Sequence, residues 1–315
     1  MRLKRYTWCG CLLLLTISTT LVMSTQSSLA IPGGLCRNTA SFRCPESKAL
    51  PKMLLQKMNK PNHKATNPPL RVMTLNVNYG AVNPALTIKR ILDSKADVIA
   101  LQEITPYWER LLKRAFKKTH PHMLFATKTG SDLGFLSRYP ITFGKQLQPP
   151  KEGWFPSLLA SIKTPLGKVH MLNLHLRPPL SRKRDVLSTA SAYLFKTPKI
   201  RQKELTSYIQ STQKLIPTKQ RKRLMVLGDF NEDEGGMAYK WLKRTQHMKS
   251  ALAQYDRSTP TWHWPVKKGP FHITLRARYD HIMFSKALKC HYAKVLPDAA
   301  SDHFPVIAYF SNTTP

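Results

Sequence analysis

Residues 224–231 read Leu224-Met225-Val226-Leu227-Gly228-Asp229-Phe230-Asn231. Consecutive apolar residues closed by a glycine predict a short strand of the kind buried inside an α/β sheet. Neighbouring side chains of an extended segment point to opposite sides. Asp229 and Asn231 therefore project together, while Phe230 turns into the core. A carboxylate beside an amide at a strand end suits a hard cation and a phosphate oxygen. The same residues also make ordinary turns, because Gly-Asp and Asn commonly close strands.

Outward from this stretch, strand-like and helix-like segments alternate. Leu70–Val77 predicts a strand. Asn83-Pro84 predicts a helix start, with Asn as N-cap and Pro at the first helical position, and the helix runs to Asp93. Asp97–Gln102 is a short apolar strand. Thr105-Pro106 opens a second helix that places Trp108, Leu111, Leu112, Ala115 and Phe116 on one face. Its other face carries Arg110, Lys113, Arg114, Lys117 and Lys118. Further strands are expected at Leu133–Ser137, Ile141–Leu147, Leu158–Lys163 and Val169–Leu176, and a long helix from Pro198 to Leu215. Segments near Tyr279–Phe284, His291–Leu296 and Val306–Phe310 close the chain as strands. The alternation predicts one layered α/β domain over residues 70–315.

Before that domain, Arg2, Lys4 and Arg5 precede a short apolar run centred on Leu12-Leu13-Leu14-Leu15, and Ser28-Leu29-Ala30 is a small-x-Ala cleavage signal. Residues 1–30 therefore read as a signal peptide, with an uncleaved anchor as the alternative, and the expected location is secreted or periplasmic. The apolar run is short for a membrane span, so none is expected after cleavage. Residues 31–69, rich in Pro, Lys and Asn, read as an extended basic tail. An oxidising compartment would allow a Cys36–Cys44 disulfide, while Cys290 lies in an apolar strand as an inert buried thiol.

The chain carries 50 Lys and Arg against 17 Asp and Glu, a formal charge of +33 over 315 residues. With 42% apolar residues it is too hydrophobic for global disorder. Such a charge favours polyanions but names no chemistry. The chemistry is carried by the scarce acids. Asn76, Glu103, His175, Asp229, Asn231, Asp280, Asp302 and His303 all fall at or near predicted strand ends. Singly, each also reads as a turn residue or a hydrogen-bonded structural group. Converging strand ends would make them one acidic, imidazole-bearing pocket in a basic protein. No GxSxG, GxxxxGK[ST], HExxH or CxxC motif occurs, which removes the usual serine-hydrolase, P-loop, zincin and thioredoxin-like readings.

In order, Thr74-Leu75-Asn76-Val77, Leu101-Gln102-Glu103, Leu136-Ser137-Arg138-Tyr139-Pro140-Ile141, Asn173-Leu174-His175-Leu176, Gly228-Asp229-Phe230-Asn231, Tyr279-Asp280-His281-Ile282 and Ser301-Asp302-His303-Phe304-Pro305 resemble the endonuclease/exonuclease/phosphatase superfamily. The resemblance implies a four-layer α/β sandwich, two packed mixed β-sheets flanked by helices. It implies a hydrolase of phosphate esters using Mg²⁺, with Mn²⁺ or Ca²⁺ as alternatives; a monomer is expected. Glu103, Asn76 and Asp302 would serve the metal. His303 would be general base or phosphorane stabiliser, oriented by Asp280. His175 would meet the phosphate or the leaving oxygen, and Asp229 with Asn231 would position water and a phosphate oxygen. Two departures stand out: Leu174 where many members carry a small hydroxyl residue, and His281 where Tyr is usual. Both are expected to point away from the pocket.

The charge favours nucleic acid, DNA or RNA, as substrate. Arg177, Arg182 and Arg184, in the loop after His175, would grip a phosphodiester backbone. Trp262-His263-Trp264, followed by Lys267-Lys268, reads either as a base-stacking platform or as a core aromatic cluster. The rivals are a phosphodiesterase or phosphatase of lipid head groups and a polyanion-binding protein on an inactive scaffold. The sequence shows no apolar hairpin of the kind a membrane-docking enzyme needs, and the intact acid and histidine positions argue against the inactive scaffold.

Overall fold

The computed structural model describes residues 69–127, 132–179, 196–268, 271–297 and 299–313, all within the unit Thr66–Pro315. Expectations for residues 1–68, including the signal peptide, most of the tail and the Cys36–Cys44 pair, lie outside them, as do Arg182 and Arg184. In chain order the strands are β1 (Leu70–Asn76), β2 (Val98–Gln102), β3 (His122–Phe125), β4 (Gly134–Ser137), β5 (Ile141–Leu147), β6 (Ser157–Thr164), β7 (Gly167–His175), β8 (Leu224–Asp229), β9 (Lys249–Ser250), β10 (Trp262–Lys268), β11 (Phe271–Ala277), β12 (Asp280–Phe284), β13 (Leu288–Val295) and β14 (Val306–Asn312). The helices are α1 (Pro84–Asp93), α2 (Pro106–Phe116), α3 (Thr197–Leu215), α4 (Met237–Thr245) and α5 (Leu252–Tyr255).

The helix starts follow from local chemistry. The Asn83 side chain accepts the Leu86 N–H at the start of α1, and Thr105 Oγ1 accepts the Trp108 N–H at the start of α2. Each places proline in the first turn, where a missing N–H costs nothing. On α2, Trp108, Leu112 and Phe116 are buried, while Arg110, Lys113 and Arg114, with Lys117 and Lys118 just beyond its end, are exposed.

Two six-stranded sheets form, ordered β13-β14-β1-β2-β4-β3 and β5-β6-β7-β8-β12-β9. Both are mixed. β1 and β2 are parallel, joined through α1, and β7 and β8 are parallel, joined through α3. Alternation assigns each face. Leu70, Val72, Val98 and Ala100 pack between the sheets against Leu158, Ala160, Met171 and Leu227. Met73, Leu75, Ile99 and Leu101 point outward onto Trp108, Leu112 and Phe116 of α2. Leu172, Leu174, Val226 and Phe230 point outward on the other side, onto Leu205, Tyr208 and Ile209 of α3 and Tyr239 and Leu242 of α4. The result is helix, sheet, sheet, helix, as the resemblance implies.

Six elements escaped the sequence: β3, β9, β10, β11, α4 and α5. Helix α4 is short and charged, opening at Gly236 with no side-chain cap. Strands β10 and β11 pair with each other as a two-stranded ribbon, and Trp262 of β10 bridges His303 ahead of β14. Trp264 lies opposite Leu275, and Ile273 shares their face two residues on. These three are 50, 48 and 52% exposed. This corrects the expectation that no apolar hairpin is exposed, and of the two readings left open for Trp264 it rules out the core one.

Candidate active site

The two parallel strand pairs end at one place. Asn76 is in register with Gln102, His175 with Asp229, and Asp280 with Asp229. Glu103 directly follows β2, and Asp302-His303 precede β14, which runs antiparallel to β1. Close approach at this point depends on Gly228, whose φ is +133°. Glu103 and Asn231 take positive φ, 60° and 50°, although neither is glycine. Such conformations cost about 1–3 kcal/mol each and cluster where geometry is used.

Asp229 is the hub. Its Oδ2 lies 3.5 Å from His175 Nε2 and 3.7 Å from His303 Nε2, and accepts from Asn76 Nδ2 at 3.3 Å. Its Oδ1 accepts the Asn231 N–H at 2.8 Å. Asn76 Nδ2 also donates to Glu103 Oε1 at 2.9 Å, and the other Glu103 oxygen accepts the Tyr79 N–H. His303 Nδ1 is 2.9 Å from Asp280 Oδ2. Asp302 stands at the rim, held by Asn78 Nδ2 at 2.7 Å and Trp262 Nε1 at 3.2 Å. Glu103 and Asp302 are half-buried and the other six are buried.

Burial alone would lower the pKa of His303. The Asp280 charge, then Asp229, and the hydrogen bond to Asp280 override it and hold the imidazolium up to about 10. Burial raises Asp229, against the opposing pull of the two imidazoles. A raised folded-state pKa means stability that is complete below the unfolded value, 6.5 for this histidine, and lost as pH rises through about 10. Asp229, also raised, works in the same direction. Chemical denaturation of metal-free protein should show stability falling from pH 6.5 toward 10, with a flatter profile in His303→Gln. An equally steep fall in the variant would assign it to other groups.

Several site residues lie off the expected set. Asn78 was legible, since it stands two residues from Asn76. Trp262 reaches Asp302, Thr261 Oγ1 accepts the Asp280 N–H, and the Phe155 ring stacks on His175 at 4.5 Å and 17°. Asp132 takes a positive φ of 49°, and its carboxyl is pushed up by burial with His175 and Glu103 as charged neighbours. No local pattern announces these contacts. Beneath the pocket, Gln102 Nε2 donates to Asn173 Oδ1 at 2.7 Å, and Asn173 Nδ2 donates to the carbonyls of Leu101 and Gly134. Asn173 thus ties the sheets together rather than facing substrate beside His175. Asn231 Nδ2 is spent on the Leu176 carbonyl, and Asn231 follows a left-handed turn rather than continuing the strand. Arg177 is 7% exposed, with its guanidinium over Trp154 and Nη1 bonded to the Glu152 carbonyl. That placement suits a scaffold role better than the expected grip on a phosphate backbone. His281 points away from the pocket, as expected, between Phe230 and Tyr239.

Asp229, Asp280 and His303 present ligand atoms within 4.8 Å of one another, all buried. Asp280 Oδ1 is buried with no hydrogen-bond partner. With Glu103 and Asp302 alongside, the donors are mainly carboxylate oxygens, a set that fits a hard divalent cation, with the Asn76 Oδ1 at present accepting the Asn78 N–H.

Fold and site together define a metal-dependent hydrolase of phosphoester bonds. The sequence profile of the Endonuclease/Exonuclease/phosphatase family matches residues 73–303, and the chain belongs to that family. No curated protein sequence matches it. Among solved structures, the human Nocturnin catalytic domain with bound sulfate anion superposes with TM-score 0.59 at 19% identity, over 78% of this chain and 95% of that one. D. rerio TDP2 complexed with single strand DNA product gives 0.54 at 19%, over 78% and 99%. Staphylococcus aureus beta toxin gives 0.55 at 18%, over 76% and 99%. At these identities the likeness is one of fold.

Proposed function

We propose that this chain is an exported phosphodiesterase that cleaves nucleic acid, acting as a monomer with Mg²⁺. The observation that supports it is the buried His303–Asp280–Asp229 cluster inside a chain of charge +33. A basic surface gathers a polyanion, and an acidic pocket at its centre suits a cation and water. Export rests on the reading of residues 1–30, and N-terminal sequencing of protein recovered from outside the cytoplasm tests it.

Glu103, Asn76 and Asp302 would hold the ion, which when bound supplies charge neutralisation at the phosphate. The remaining steps fall to the chain itself. Asp229, ionised, accepts a hydrogen bond from water and aims it at phosphorus. His303, kept protonated by Asp280, faces the oxygens on which charge builds. As the new P–O bond forms and the old one breaks, His175 is placed to give a proton to the leaving oxygen, and the attacking water loses one toward Asp229.

The exposed Trp264, Ile273 and Leu275 favour a second reading, lipid phosphodiesters, because an apolar ribbon beside the site suits an interface. One comparison separates the two. With Mg²⁺, wild type and the Trp264→Ser/Ile273→Ser/Leu275→Ser variant are given single-stranded DNA, RNA and anionic phospholipid vesicles. The nuclease reading expects polynucleotide cleavage, abolished by chelator, that changes by less than about threefold in the variant. Vesicle hydrolysis without polynucleotide cleavage, lost in the variant, would replace that reading with the lipid one.

A further inference from the structure

We infer that Glu204 is a positioning residue for His175, acting through the Trp154-Phe155 segment. The inference rests on the proposed role of His175. Glu204 lies on α3, fully buried, away from the acidic cluster. Its two carboxylate oxygens are divided between two loops. Oε1 accepts the Trp154 N–H at 2.9 Å, and Oε2 accepts the Arg177 N–H at 2.9 Å. Those loops flank the end of β7, where His175 sits.

One turn along the same helix, Tyr208 donates its hydroxyl to the Phe155 carbonyl. Glu204 and Tyr208 therefore hold the Gly153–Trp154 and Phe155–Pro156 peptide groups, which bracket the Trp154-Phe155 segment, from the i and i+4 positions of one helix face. Phe155, so fixed, lays its ring on His175, nearly parallel at 4.5 Å. The Arg177 guanidinium closes the arrangement, 4.3 Å above the Trp154 ring. Gly153 completes the fit: a Cβ there would stand 2.7 Å from Glu204 Oε1. Burial pushes the Glu204 carboxyl up, and the Arg177 and Trp154 N–H bonds oppose it.

A buried carboxylate carries a desolvation cost that an apolar core residue would not. What it supplies is direction. Two N–H groups on separate loops are drawn to one point, which sets the plane of Phe155 and with it the plane of the His175 ring. Glu204→Gln keeps the volume but has one acceptor oxygen, so one of the two loops is released.

The test uses full-length protein and reads His175 directly. Histidine ring nitrogen–proton correlations by NMR are recorded for wild type, Glu204→Gln and Phe155→Leu, together with kcat and KM on a phosphodiester. Both variants are expected to shift the His175 signals and leave those of His303 in place. Both should lower kcat about tenfold or more, with KM within about twofold, as a small misplacement of a reacting group does. The double variant should lose no more than the worse single one. A folded Glu204→Gln with lower melting temperature but unmoved His175 signals and unchanged kcat would reduce Glu204 to a packing role. Shifted His175 signals in both variants, with no phosphodiester turned over by wild type, would uphold the positioning and refute the proposed function instead.

Discussion

His303→Ala is expected to lower kcat by about three orders of magnitude, measured as Mg²⁺-dependent phosphodiester turnover, with substrate affinity reduced far less. The size follows from what the imidazole touches. Its Nδ1 is fixed by Asp280 at 2.9 Å and its Nε2 faces Asp229 at 3.7 Å. In the proposed role, the charge it holds, stabilised up to about pH 10, would face the phosphate oxygens on which negative charge grows. Alanine removes that charge and leaves two buried carboxylates without their cation. Breaking a buried pair in this way costs roughly 3–5 kcal/mol, so the variant should also melt earlier. Asp280→Asn separates the two effects. It leaves the ring in place but weakens its charge and its orientation, and should lose activity by about a hundredfold or more with a smaller loss of stability. Full activity in folded His303→Ala would overturn the site.

The second large effect is on the fold. Gly228→Ala is expected to destabilise the protein by roughly 4 kcal/mol or more, and to yield little soluble protein. Gly228 has φ +133°, a region that L side chains rarely adopt. A Cβ there would stand 2.0 Å from the Leu174 carbonyl oxygen. The atom in the way is backbone of the paired strand β7, in register with Gly228 itself. No rotamer change relieves it, so β7 and β8 must part where they bring His175 and Asp229 together. A domain of this size has only about 5–15 kcal/mol to lose. Thermal melting of any soluble fraction should show a midpoint lower by about 10 °C or more. An unchanged midpoint would mean that the strands separate at this point without cost.

The limits of the sequence reading are informative. Asn83-Pro84 and Thr105-Pro106 announced α1 and α2 to the residue, because capping is a local hydrogen bond and needs nothing distant. Asp229 and Phe230 followed from alternation along one strand. The same rule puts Asn173 and His175 on one side of β7, but it could not show that the Asn173 amide is claimed by carbonyls of the opposite sheet, nor that the chain turns left-handed at Asn231 after β8. Arg177 was expected to grip a phosphate backbone, and only its neighbours show that Trp154, Glu152 and Glu204 hold it.

What the sequence by itself determined begins at residues 224–231. A buried strand closed by Gly-Asp, with polar residues at strand ends from Asn76 to His303, was enough for a layered α/β domain, and the resemblance carried by those motifs in order implied the hydrolase class. Both rest on local periodicity and on the order of short motifs. The tertiary structure alone decided strand order, the meeting of Asp229 with both imidazoles, the apolar ribbon β10–β11, and the link from Glu204 to His175. These are contacts between residues far apart in the chain. They depend on sheet packing and burial, which no single segment encodes.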